Sequence, residues 1–117
     1  MWIAMNKSFV SIVQHRDDTT SVVVRARVKE DLIDLFPQQT LDIIETDDSD
    51  YRFRLFLDKE LVADAVRQRV IGINYPNFKN SVKESWRKQA YMKIWEVMYD
   101  VQAKRYKSAK DWWPPYR

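Results

Sequence analysis

Ser8–Val28 reads SFVSIVQHRDDTTSVVVRARV, and the fold follows from how this stretch is parsed. Two runs rich in β-branched and aromatic residues flank Arg16-Asp17-Asp18-Thr19-Thr20. Such runs favour a pleated surface, and Asp suits a tight polar turn, so the stretch is predicted to be a β-hairpin. Its first strand runs roughly from Lys7 to His15. Val10, Ile12 and Gln14 fall on one face; Phe9, Ser11, Val13 and His15 fall on the other. Its second strand, Ser21 to Val28, alternates more cleanly. Val22, Val24, Ala26 and Val28 point one way, and Val23, Arg25 and Arg27 the other. One face is therefore core, and the opposite face carries two guanidiniums.

Downstream, Leu32, Leu35 and Phe36 recur at helical spacing over residues 30–36. Glu30 and Asp31 sit in the first turn, where negative charge suits the helix dipole, and Pro37 stops the helix. Leu41–Glu45 and Tyr51–Leu57 read as a second hairpin around Asp47-Asp48-Ser49-Asp50. In its later strand Tyr51, Phe53, Leu55 and Leu57 alternate with Arg52, Arg54 and Phe56. A helix over residues 59–72 starts at an Asp58 cap, with Leu61, Val62, Ala65, Val66, Val70 and Ile73 as its apolar stripe. The longest helix is predicted from Ser81 to about Lys107. Trp86, Ala90, Tyr91, Ile94, Trp95, Met98 and Val101 follow its period. Ile94 and Trp95 are expected to be mostly buried, so that Trp95→Ala would cost about 3–5 kcal/mol.

The order is ββαββα followed by a long C-terminal helix. It predicts an α+β fold: a four-stranded antiparallel ferredoxin-like sheet in permuted order 1-2-4-3, with both shorter helices on one face. One domain over residues 1–117 is expected, with a core at about 2–102 and an extension at 103–117. The two Arg-x-Arg strands become central neighbours. Arg25 and Arg52 are then expected side by side, able to clamp one phosphate or carboxylate.

The composition excludes several classes. With no cysteine there is neither a disulfide framework nor a thiolate metal site, and one histidine leaves zinc without ligands. A single glycine rules out a glycine-rich phosphate loop. Asp47-Asp48-Ser49-Asp50 lacks the spacing of a calcium loop and reads as a turn. No metal and no cofactor are expected. No apolar run is long enough to span a bilayer, and MWIAMNKSF lacks the basic start and apolar run of a secretory signal. A cytoplasmic protein without membrane contact is expected. The net charge of +3 conceals an asymmetry: residues 1–60 hold 8 Lys and Arg against 12 Asp and Glu, and residues 61–117 hold 12 against 5. A basic half suits an acidic partner or is an ordinary solvated helix surface.

The segments FVSIVQHRDD, VVVRARVKEDL, DSDYRFR, INYPNFKNSV and AYMKIWEVM come in that order through most of residues 2–102. In this the chain resembles a family of small uncharacterised bacterial proteins. The resemblance implies no activity and no catalytic residue, and the stretch from Ala103 to Arg117 extends beyond its pattern.

Two functional readings remain open. In the first, the protein is a non-enzymatic binding module. Arg16, Arg25, Arg27, Arg52, Arg54, Lys79, Lys83 and Arg87, with Phe9 and Phe56, form a basic and aromatic surface for a protein partner or a nucleic acid. A homodimer through the Trp86–Met98 stripe is part of this expectation. Alternatively the long helix covers the arginine face. In the second reading, His15 with Asp17 acts as acid or base on a phosphorylated or nucleotide-like substrate held by the arginines. The competing view of Gln14-His15-Arg16-Asp17-Asp18 is a strand running into a solvated turn, since sequence neighbours on a strand point to opposite faces.

Overall fold

The computed structural model describes residues 1–106, so the Trp112-Trp113-Pro114-Pro115 tail lies outside the described residues. The chain divides into two compact units, Met1–Pro76 and a helical unit beginning at Asn77.

The first unit is α+β. Its strands are β1 (Trp2–Ala4), β2 (Phe9–Gln14), β3 (Ser21–Ala26), β4 (Ile44–Glu45) and β5 (Phe53–Asp58), with helices α1 (Lys29–Leu35) and α2 (Lys59–Ile71). The sheet is antiparallel throughout, in the order β1-β2-β3-β5-β4. It has five strands where the sequence suggests four. The additional one is β1, which pairs with β2 from Trp2↔Ser11 to Ala4↔Phe9 and is extended by Met1 and Ile12, which exchange backbone hydrogen bonds. The other four strands keep the expected relative order.

The period-2 pattern sets the layers. Val10, Val22, Val24, Ala26 and Leu55 are buried in one cluster with Met5, Leu32, Leu35, Phe36 and Val62, and Ile12, Phe53, Leu57 and Ala65 pack against it. Both helices therefore lie on the Val24 face of the sheet. Arg69 on α2 reaches the Asp34 carboxylate on α1 at 2.7 Å and ties the two together.

Several local expectations are corrected. Pro37 does end α1, but the chain then winds through a 3-10 segment, Pro37–Asp42. The strand expected over Leu41–Glu45 shrinks to Ile44–Glu45, and Leu41 is fully exposed. Asp58 occupies the N-cap of α2, yet its side chain makes no capping bond. On α2 only Val62 is buried; Leu61, Val70 and Ile71 are exposed, so the apolar stripe fades toward the C-terminal end.

The second unit holds α3 (Phe78–Ser81), capped by the Asn77 side chain, and α4 (Ser85–Arg105). The long helix expected from Ser81 thus begins at Ser85, after a break. Val82, Arg87 and Tyr91 are buried, and Phe78 stacks on Tyr91 at 5.6 Å between centroids. Ile94 and Trp95 are 45% and 50% exposed, which overturns their expected burial. Apolar residues are spread around α4 beyond the Tyr91 side: Trp86, Val97, Met98, Tyr99 and Val101 are also exposed. Among the described residues no helix is long and apolar enough to cross a membrane.

These burial patterns fix the stability response. Leu55→Ala, at a position 1% exposed, is expected to cost about 2–5 kcal/mol in urea denaturation. Ile94→Ala is expected to cost about 1 kcal/mol or less. Equal losses for the two variants would contradict this division.

Candidate anion-binding face of the sheet

The face opposite α1 and α2 is built by register. Trp2 opposes Ser11, Ser11 opposes Arg25, Arg25 opposes Arg54, and Arg54 opposes Ile44. Directly opposed residues project from the same side, with Cβ atoms about 4.5–5.5 Å apart. One row of side chains therefore crosses all five strands, with two arginines at its centre. The next row is Val13, Val23 and Phe56. Beyond it the His15 amide donates to the Ser21 carbonyl at 3.1 Å, where the β2–β3 hairpin closes.

Arg25 and Arg54 are partly buried side chains with few protein acceptors. Arg25 Nη2 donates to Ser11 Oγ at 2.8 Å, and Arg54 Nη2 donates to Ser49 Oγ at 2.6 Å and to the Tyr51 carbonyl at 3.1 Å. The Nε–H of each is buried and meets no hydrogen-bond acceptor among the described residues. A buried donor left without an acceptor costs about 1–3 kcal/mol, and like charges directly opposite each other on a sheet are unfavourable as well. Among the described residues no carboxylate forms a salt bridge with Arg25, Arg27 or Arg54.

Tyr51 organises the cluster. The Arg25 and Arg27 guanidinium carbons lie 4.5 and 4.1 Å from its ring centroid, and Tyr51 itself is 3% exposed. Cation–π contact of this kind holds the flat guanidinium against the ring. The sequence alternation places Tyr51 with the core residues Phe53 and Leu55. β5 begins only at Phe53, so the alternation does not reach Tyr51, and its ring meets the arginines instead.

The expected pairing of Arg25 with Arg52 is corrected. Arg52 Nη2 makes salt bridges to Glu45 at 2.8 Å and Asp47 at 3.0 Å. The Glu45 hydrogen bond, with the charges of Asp47 and Glu45, raises the Arg52 pKa further. Its charge is matched locally, and Arg54 takes its place beside Arg25.

Two aromatic pairs flank the arginine row. Trp2 meets Phe9 edge to face at 6.2 Å on one side; His15 meets Phe56 edge to face at 5.2 Å on the other. Trp2 and Phe56 are exposed, while Ser11 and Val23 between them are buried. Trp2 and Tyr51 are missing from the sequence reading of this face, which places Ser11 there without a role. An alternating MWIA run able to pair with β2 is the one sequence signal that could have found Trp2.

The hairpin turn does not assemble an acid–base dyad. His15 Nδ1 accepts the Asp17 amide N–H at 3.0 Å, which in a neutral ring leaves the proton on Nε2. Asp18 Oδ1 accepts the Thr20 hydroxyl at 2.7 Å and its amide at 2.9 Å, and Oδ2 accepts the Ser21 hydroxyl at 2.8 Å. Arg16 and Asp17 are exposed in the turn. His15 stands four residues along β2 from Ser11, about 13–14 Å from the arginine row. Of the basic residues in the second unit, Lys79 lies 5.1 Å above the Trp95 ring and Lys83 Nζ donates to the Asn80 carbonyl. Arg87 Nε donates to Glu84 at 2.6 Å, and its guanidinium lies over Trp86. Among the described residues no three His, Cys, Asp or Glu side chains cluster so as to hold a metal ion. No protein-family model, curated protein or solved structure matches the chain.

The turn carries a pH signature. Thr20 first, through its hydroxyl and then its amide, and Ser21 next, lower the Asp18 pKa from 3.8 to about 2. Because the folded value is the lower one, the turn's contribution is complete above the ordinary value and fades as pH falls through about 2. An Asp18 carboxyl titration followed by NMR is expected to show this depressed midpoint, which Thr20→Ala raises. An ordinary Asp midpoint in the native protein would contradict it.

Proposed function

We propose that the protein is a non-enzymatic binding module whose sheet face in the Met1–Pro76 unit engages single-stranded nucleic acid. The observation that carries this reading is the arrangement of that face. Arg25 and Arg54, without salt-bridged carboxylates among the described residues, lie between two aromatic pairs, Trp2–Phe9 and His15–Phe56, in which Trp2 and Phe56 are exposed. Aromatic rings accept stacked bases of any sequence, and arginines neutralise the phosphates that join them. A β-sheet with both helices on its far side suits such a surface. We further infer that β2, β3, β5 and β4 with α1 and α2 form a permuted ferredoxin-like unit to which β1 is added. A cytoplasmic location, where nucleic acid is abundant, suits the same reading. The acid–base alternative at His15 loses support because Asp17 meets that ring through its backbone, while Asp18 is engaged by Thr20 and Ser21.

A second reading, a protein partner or a second copy of the chain, draws on a separate observation. Trp86, Ile94, Trp95 and Met98 of α4 are each about half-exposed, and aromatic and Met side chains are enriched in protein contacts.

The test is fluorescence anisotropy with short single-stranded RNA and DNA. With Arg25, Arg27 and Arg54 together neutralising one or two phosphates, the affinity is expected to fall with salt at a log–log slope of about −1. Phe56→Ala is expected to cost about 1–3 kcal/mol of binding, as for loss of one stacked base. His15→Ala is expected to cost less, since binding involves no proton transfer. Absence of binding at low salt, together with dimerisation in sedimentation that Trp95→Ala abolishes, would replace this reading with the second one.

A further inference from the structure

The central pair of the arginine row is more specific than a diffuse basic patch. Arg25 and Arg54 are direct cross-strand partners, and each keeps a buried Nε–H without an acceptor among the described residues. Each guanidinium is held from two sides. Arg25 is fixed by Ser11 and the Tyr51 ring, and Arg54 by Ser49 and the Tyr51 carbonyl. Asp50, linked to this network through Ser49 and Tyr51, accepts the Tyr51 amide at 2.9 Å and the Ser49 hydroxyl at 3.5 Å, and forms no salt bridge with Arg54. Two like charges are thus positioned side by side, with donors to spare and no salt-bridged carboxylate among the described residues.

We propose that Arg25 and Arg54 form a clamp for one phosphate group, with Tyr51 as its platform. This deepens the nucleic-acid reading and rests on it for the source of the phosphate. The choice of phosphate over carboxylate follows from geometry and charge. A carboxylate offers two oxygens and one charge, which a single guanidinium fork already satisfies. A phosphate group offers a tetrahedral set of oxygens, so two forks approaching from neighbouring strands engage different edges of it. A monoester phosphate, as at the 5′ end of a strand or in a nucleoside monophosphate, carries about −1.5 to −2 charge at neutral pH and matches two guanidiniums, whereas a backbone diester carries one charge and is held less tightly. Arg27, exposed above the same ring, adds long-range attraction; Arg52, held by Glu45 and Asp47, adds little. Binding turns the guanidinium edges toward the anion and supplies the acceptors that the Nε–H groups lack.

The test uses the full chain and three probes: inorganic phosphate, a nucleoside monophosphate and a short single-stranded oligonucleotide. The readout is the arginine Nε–H resonances in nitrogen-15 NMR. The Arg25 and Arg54 signals are expected to shift together, with one shared dissociation constant for each probe. Arg25→Gln and Arg54→Gln are each expected to weaken phosphate binding by about tenfold or more, and Arg52→Gln to leave it within about twofold. Arg25→Lys keeps the charge but loses the fork, and is expected to weaken binding as well. The wild-type shifts decide the matter even if a variant fails to fold. Phosphate shifts without oligonucleotide binding would support the clamp, assign it to a free phosphate or nucleotide, and remove the nucleic-acid reading. Oligonucleotide binding that leaves both Nε–H signals unmoved would overturn the clamp while the broader reading stood. Unmoved signals with all three probes would overturn the clamp outright.

Discussion

The register between β3 and β5 is the constraint on which the first unit depends. Six consecutive pairs, from Ser21↔Asp58 to Ala26↔Phe53, lock the two central strands together. A strand's side chains alternate with a period of two, so a slip by one residue would exchange its faces. In the observed register Val22, Val24 and Ala26 enter the core with Leu55, and Arg25 meets Arg54 on the opposite side. Any odd slip would push a guanidinium into the Leu32–Phe36–Val62 cluster. Hydrophobic burial by α1 and α2 thus enforces the register, and the register in turn holds two positive charges together that would otherwise separate. The arginine pair is a consequence of how the core is packed.

The acidic residues nearby are largely occupied elsewhere. Asp18 is taken by Thr20 and Ser21 in the first hairpin, Glu45 and Asp47 by Arg52 on the second, and Asp34 by Arg69 between the helices. Formal charge by chain segment therefore misleads: the basic excess falls in residues 61–117, yet the least neutralised arginine cluster of the sheet unit sits in the acidic half. What matters for an anion is the local pairing of each cation.

Much of the sheet is legible in the sequence because alternation is a strong signal. Val22–Arg27 and Phe53–Leu57 reveal both their faces and their neighbours. Three features were harder to read. β1 is only three residues long and gains its identity from pairing with β2, a non-local interaction. Arg52 and Arg54 look alike by position, but the carboxylates of Glu45 and Asp47 pair with Arg52, while Arg54 donates to the Ser49 hydroxyl and the Tyr51 carbonyl. Tyr51 lies just beyond the strand, where period-2 extrapolation stops being valid. On α4, helical spacing of Trp and Ile side chains was compatible with burial, yet an apolar period says only that residues share a face. Whether that face is covered depends on the rest of the fold, and Ile94 and Trp95 stay half-exposed.

The central claim is that the sheet face opposite α1 and α2 is the binding surface. Amide and side-chain chemical-shift mapping during titration with a single-stranded oligonucleotide tests it most directly. The account predicts that the largest changes fall on Trp2, Ser11, Arg25, Arg54 and Phe56, residues from four strands that share only that face. Changes confined to Trp86–Tyr99 of α4, or spread evenly over every lysine and arginine, would contradict it.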